Sequence, residues 1–167
     1  MGLQIRAATI DDAPELVVYA TRLFSEGLPG IFERPAPTLE DERRFITPYL
    51  DSANSVLFVA RLDGEVVGLL DFRGEALSEQ AHCGVFGVSV ERRHRGGGIG
   101  TALIETLLTW APAHGIRRIE VLAWASNPRA LALYERLGFE REGCLREAVI
   151  RYGEPIDVVV LARLLVA

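Results

Sequence analysis

The sequence predicts a mixed α/β sheet in the order βααβββαβαββ, and three observations carry that reading. Two β-rich runs, Ser55 to Leu62 and Glu65 to Phe72, flank Asp63-Gly64, the dipeptide that supplies the positive φ of a two-residue hairpin. A third run, His82 to Val90, leads through a glycine-rich stretch directly into an amphipathic helix. The chain closes on two further β-rich runs, Phe139 to Tyr152 and Ile156 to Leu165, across a Tyr152-Gly153-Glu154-Pro155 turn.

Each element has a local cause. Leu3 to Ala7 alternates weakly and reads as a first strand. Thr9 with Asp12 three residues on resembles a capping box and opens a helix running to about Glu26, while Thr38 with Asp41 opens a second through Tyr49. The proline-containing stretch between them, Leu28 to Pro37, reads as one long loop. Within His82 to Val90, Gly84 and Gly87 interrupt an apolar strand, which marks a bulge or the close approach of another backbone or a ligand. Ile99, Ala102, Leu103, Thr106, Leu107 and Trp110 recur at three-and-four spacing and form one helix stripe, ended by Pro112 and Gly115. Arg118 to Trp124 is a strand. Asn127 then caps a helix with Pro128 at its first position, Ala130, Leu133, Tyr134 and Leu137 as its inner face and Gly138 as its terminator.

The 167 residues match one typical domain of roughly 150. With no spacer long enough to separate a second core from the first, residues 1–167 read as a single domain. Eighteen basic against 23 acidic residues give a net charge of −5, which offers no broad cationic face to nucleic acid or anionic lipid. No apolar run reaches the ~20 residues of a membrane span, and the opening lacks a secretory signal's apolar stretch, so a cytoplasmic location is expected. Cys83 and Cys144 stand outside any CxxC spacing and read as small buried hydrophobes. His82, His94 and His114 lack ligand spacing, so no metal is expected.

The stretch that carries chemistry runs Val88-Ser89-Val90-Glu91-Arg92-Arg93-His94-Arg95-Gly96-Gly97-Gly98-Ile99-Gly100-Thr101. A helix N-terminus has unsatisfied N–H groups and a positive dipole end, and glycines let those donors reach phosphate oxygens unobstructed. Arginines at the rim add charge. A P-loop would need GxxxxGK[ST], and no lysine follows these glycines; a dinucleotide fingerprint fails at Thr101 from Gly96 and at Leu103 from Gly98.

What remains is R-x-x-G-x-G at Arg95, Gly98 and Gly100, followed by N-x-x-A-x-x-x-Y-x-x-x-G-F at Asn127, Ala130, Tyr134, Gly138 and Phe139. Together these resemble the two ordered signatures of the GNAT superfamily of acetyl-CoA-dependent N-acetyltransferases. The tail, Arg151-Tyr-Gly-Glu-Pro-Ile-Asp157, is similar to that of members acting on amino acids or protein N-termini. The resemblance fits closely from Asp51 to Leu165 and in outline before that. It implies a mixed, mostly antiparallel sheet with flanking helices, acetyl-CoA as co-substrate and no metal.

The resemblance also implies roles. The strand Val88, Ser89 and Val90 would splay from its neighbour, and the pantetheine arm would pair with its exposed backbone as an added strand does. The diphosphate would sit on N–H groups of Gly96, Gly97, Gly98, Ile99, Gly100 and Thr101, with Arg93 and Arg95 alongside. Asn127 would bond the pantetheine amides. A backbone N–H near Val88 would hold the oxyanion, and Tyr134 would protonate the departing thiolate. Without the motif's register, Tyr134 reads as a core aromatic and Arg92, Arg93 and Arg95 as a solvated cluster.

One position departs from the pattern. Many relatives place an acidic residue on the strand before the glycine loop, where this chain has Val85. The base is then His82, Asp71, Glu75 or water, with water-assisted deprotonation near His82 favoured. Trp124 sits where an acceptor pocket can form, and the resemblance implies that Glu40, Asp41, Glu42 and the Phe24 to Phe32 loop cover the acceptor side. The expected activity is acetyl transfer to a primary amine by direct attack, a free amino acid or similar small amine being favoured. The alternatives are a protein N-terminus as acceptor and a non-catalytic acyl-CoA-binding module. The final strand can pair or swap between subunits, which leaves a homodimer open.

Overall fold

A computed structural model describes residues 2–166. Its frame is one seven-stranded sheet in the spatial order β1-β2-β3-β4-β5-β7-β6. The strands are β1 (Gln4–Ala7), β2 (Val56–Leu62), β3 (Glu65–Gly74), β4 (Cys83–Val90), β5 (Arg118–Trp124), β6 (Glu140–Arg151) and β7 (Glu154–Leu164). Every neighbouring pair is antiparallel except β4 and β5, whose connection crosses one face of the sheet through a single helix and so returns in the same direction, whereas the two helices between β1 and β2 bring the chain back antiparallel. The helices are α1 (Ala13–Phe24), α2 (Leu39–Leu50), α3 (Ile99–Trp110) and α4 (Pro128–Arg136).

Strand alternation divides the core between two faces. Along β2, Phe58 and Ala60 join the cluster under α3 and α4, with Leu103, Ile104, Leu107 and Tyr134. Leu57 and Val59 point the other way, into the cluster under α1 and α2 with Leu16, Tyr19, Leu23 and Ile46.

The expected element order is present, with local differences. The Thr9 cap, whose N–H donates to Asp12 Oδ2 at 2.7 Å, opens a 3₁₀ turn, Ile10–Asp12, before α1 begins. That helix stops at Phe24 rather than Glu26, whose carboxylate instead accepts from Arg92 N at 3.1 Å. The last hairpin turns on two residues, Tyr152 (φ 52°) and Gly153 (φ 80°); Pro155 belongs to β7 opposite Ile150. The cysteines are not buried as expected. Cys144 is exposed because β6 forms the sheet's outer edge, and Cys83 is half-buried at the start of β4.

Candidate active site

The sheet opens in its middle. β4 and β5 pair over Cys83↔Arg118, Gly84↔Ile119, Val85↔Glu120 and Phe86↔Val121, and there the ladder ends. Beyond it β4 stays paired with β3 as far as Val90↔Gly68, while β5 stays paired with β7 as far as Trp124↔Val158. Gly87 to Val90 therefore present one backbone edge to a wedge-shaped gap, the arrangement to which an extended ligand can add as a strand.

The wedge leads to the start of α3. Gly98 is the residue preceding the helix and adopts φ 82°, a conformation that costs a side-chain-bearing residue about 1–2 kcal/mol. The first bond of the helix runs from Ala102 N to Gly98 O at 2.9 Å, so the N–H groups ahead of Ala102 have no intrahelical acceptor. A side chain on Gly98 would project into open space. Backbone donors and vacant room in front of them fit a diphosphate.

The arginines of this region divide by what already holds them. Arg93 donates to Glu91 Oε2 and to Glu65 Oε2, both at 2.7 Å, and Arg92 donates to the carbonyl of Glu26 at 2.6 Å. These two brace the loop. Arg95 donates only to Val90 O, at 3.2 Å, and burial, with Arg129 adding repulsion, pulls its guanidinium below its ordinary pKa. Arg129 Nη2 lies 3.1 Å from where a Cβ on Gly96 would stand. Arg95 and Arg129 thus converge on the glycine loop, and mutual repulsion of two cations is relieved by an anion between them. Arg129 occupies an unspecified position of the second motif, so geometry alone reveals it.

Tyr134 comes from α4. Its ring is buried, edge-on to Phe86 at 5.7 Å and to Phe139 at 6.2 Å. Burial pushes its phenol up to about 12, with Arg95 pulling weakly the other way, so it stays protonated at neutral pH and has a proton to give. Phe86 is the last residue of β4 paired with β5, which puts the phenol's ring at the mouth of the wedge. Asn127 Oδ1 accepts from Ala130 N at 3.2 Å, capping α4, and its Nδ2 donates to Pro29 O at 3.4 Å. Ser89 turns to the opposite face, where its hydroxyl bonds Tyr19 at 2.9 Å.

That opposite face carries the other candidates. Asp71 on β3 stands opposite Gly87, its carboxylate 3.5 Å from the Tyr49 hydroxyl and 3.7 Å from Arg73 Nε. His82 is exposed and precedes β4, four residues before the Phe86 on which Tyr134 packs, or about 13 Å at strand rise. Glu75 lies at the same end, its N–H bonded to Cys83 O at 2.9 Å. The fold therefore does not bring His82 or Glu75 to Tyr134.

The loop 25–38 lies against the far side of the wedge. Arg151 stacks on Trp124, 4.6 Å from its centroid, and donates to the carbonyls of Leu28 (2.8 Å) and Ile31. Phe32 packs edge-on to Trp124 at 5.3 Å, and Tyr152 donates to Glu33. The other tail positions also have work in the fold: Gly153 turns the hairpin, and Asp157 Oδ1 accepts from Glu147 N at the irregularity of β6. Among the described residues there is no cluster of three or more His, Cys, Asp or Glu able to hold a metal, and no helix is long and apolar enough to cross a membrane.

Residues 20–139 match the Acetyltransferase (GNAT) family. The chain belongs to that family. Among its relatives is the L-amino acid N-acetyltransferase AaaT of Escherichia coli K12, 31% identical over 109 residues, or 63% of this chain and 65% of that protein. Another is a mycothiol acetyltransferase of Clavibacter michiganensis, 33% identical over 83% of this chain and 42% of that protein. The matches thus span less than two thirds of either relative. A GNAT acetyltransferase structure from Streptococcus pneumoniae superposes with a TM-score of 0.91 at 27% identity, covering 98% of this chain and all of that one. The mostly antiparallel sheet with its flanking helices is the GNAT fold.

Proposed function

We propose that this GNAT chain, acting as one domain, transfers an acetyl group from acetyl-CoA to the primary amine of a free amino acid or similar small molecule. The observation that carries the reading is the gap after Phe86↔Val121, joined to a glycine turn with free N–H groups. The N–H groups from Gly96 to Thr101 would hold the diphosphate, with Arg95 and Arg129 as its nearest cations; Arg93 would have to leave a carboxylate to join them. The edge of Val88, Ser89 and Val90 would pair with the pantetheine arm, and the Asn127 amide would bond it after releasing Pro29.

The reaction supplies its own electrophile, a thioester. The Val88 N–H would hold the oxygen of the attacked carbonyl, where one such donor is worth roughly 3–4 kcal/mol. Tyr134 would deliver a proton to the departing sulfur. A phenol near 12 facing a thiol near ~8.5 makes full transfer uphill until the sulfur carries most of the charge, so the proton moves late. The loop 25–38, fastened to Arg151 and Trp124, would border the acceptor side and leave less room for a peptide than for a small amine, which supports the latter. Kinship with an L-amino acid N-acetyltransferase and a mycothiol acetyltransferase supports it further.

Release of free thiol from acetyl-CoA, measured across L-amino acids, polyamines, aminoglycosides and N-terminal peptides, tests the proposal. The expected result is turnover concentrated in the amino acids. Turnover with peptides alone would transfer the reading to a protein N-terminus, and acetyl-CoA binding with no turnover would leave only a binding module.

A further inference from the structure

Val85 leaves its face of β4 without a carboxylate, yet one reaches the same face from the neighbouring strand. Val85 and Gly87 alternate on β4 toward α1 and α2, and their partners on β3 are Arg73 and Asp71. Asp71 leans across its partner: a Cβ on Gly87 would stand 3.0 Å from Asp71 Oδ1. Gly87 has no positive φ, so its backbone does not require glycine; what the missing side chain leaves is room for the carboxylate. Gly87 is also the first residue of β4 past the end of the β4–β5 ladder. Only the width of one strand, about 5 Å, separates Asp71 from the wedge, a distance a single bridging water spans.

We infer that Asp71 accepts the proton of the incoming amine, from the face that Val85 leaves without a carboxylate of its own. This rests on the acetyltransferase reading above. The carboxylate of Asp71 takes one proton from the ammonium, directly or through that water, and passes it to solvent, to which about a fifth of its side chain is open. The freed lone pair forms the N–C bond as the C–S bond breaks, with the bonding pair leaving on sulfur. Tyr134 protonates the sulfur and recovers a proton from the nitrogen by way of solvent, so the net products are the amide, a free thiol and one proton.

The surroundings suit the task. Burial pushes Asp71 up from the usual carboxylate range, while Arg73 on its own strand and, more weakly, the Tyr49 hydroxyl from α2 pull it back. Its partners on the flanking strands, Leu57 of β2 and Gly87 of β4, bring no charge.

The test is the pH profile of thiol release from acetyl-CoA with an L-amino acid mixture as acceptor, for the wild type, Asp71→Asn and Tyr49→Phe. Asp71→Asn should lose about 100-fold in kcat/KM at pH 7 and recover toward alkaline pH as the amine loses its own proton, with acetyl-CoA affinity unchanged. Tyr49→Phe removes a donor to the carboxylate and should move the acidic limb to higher pH. A wild-type rate and profile in Asp71→Asn overturns the inference and leaves the acetyltransferase reading standing. No thiol release by the wild type, with this mixture or with the polyamines, aminoglycosides and N-terminal peptides above, overturns both. Should Asp71→Asn fail to fold, an unmoved acidic limb in Tyr49→Phe overturns the inference by itself.

Discussion

The two faces of the sheet are built on different principles. On the side of α3 and α4 the candidate site is main chain: the open edge of Gly87 to Val90 and the donors that begin at Gly98. On the side of α1 and α2 it is side chains fastening an irregular segment: Arg151 on the carbonyls of Leu28 and Ile31, Phe32 on Trp124, and Asp71 beneath Tyr49. Main-chain recognition suits a ligand that never changes. Side-chain recognition can be altered one residue at a time, so under the proposed function the second face is where the choice of amine would belong.

That contrast can be broken in order of expected effect. Tyr134→Phe should cut kcat by about 10²–10³-fold while acetyl-CoA affinity stays within twofold or so, since the buried ring is retained and only the proton is lost; stopped-flow thiol release with calorimetric titration checks the split. Gly98→Val should weaken acetyl-CoA by about 100-fold, or about 2.7 kcal/mol, whatever the amine, because the branched side chain resists φ 82° and fills the space before the N–H groups. Normal affinity in that variant, read by calorimetry, would remove the glycine turn from the site.

A third variant touches neither ligand. Asp12 is buried and takes both terminal nitrogens of Arg6, at 2.7 and 2.8 Å, as well as Thr9 N. Those bonds, that of Arg6 foremost, hold its carboxyl below the usual range against the opposing effect of burial. A depressed folded-state pKa stabilises the protein above the unfolded value of about 4 and ceases to do so as pH falls through the folded value. Melting curves should therefore show a loss below about pH 4, and Asp12→Asn should lower stability by about 2–4 kcal/mol at pH 7 while blunting that acid loss. Kinetic constants of the surviving folded fraction should be unchanged. The smallest effect is expected from Arg151→Ala, which frees the loop and should raise KM for the amine about tenfold with kcat and acetyl-CoA affinity nearly intact, as steady-state kinetics would show. A shift in acetyl-CoA affinity instead would merge the two faces into one.

Legibility in the sequence follows the same division. The Asp63-Gly64 hairpin, with φ 50° and 87°, and the turn at Gly96 to Gly98 were readable because backbone conformations that exclude most side chains leave glycine behind. Caps at Thr38 and Asn127 were readable because donor and acceptor lie three residues apart. Arg151 and Leu28 are instead 123 positions apart, and nothing local joins them. Asp71 was visible as one of several acids, but its place beside Gly87 depends on strand register, which a single sequence constrains weakly. His82 shared a strand with Val88 on paper; its distance from Tyr134 emerged only once the end of the parallel ladder was known.

Phe86 closes the last rung between the two half-sheets and is also the surface on which the Tyr134 ring rests. One residue thus stands both at the point where the strands diverge and against the ring of the phenol. Under the proposed function, trimming it should displace the phenol from a sulfur whose distance from the diphosphate the pantetheine arm fixes, an offset that no change of acyl chain would repair.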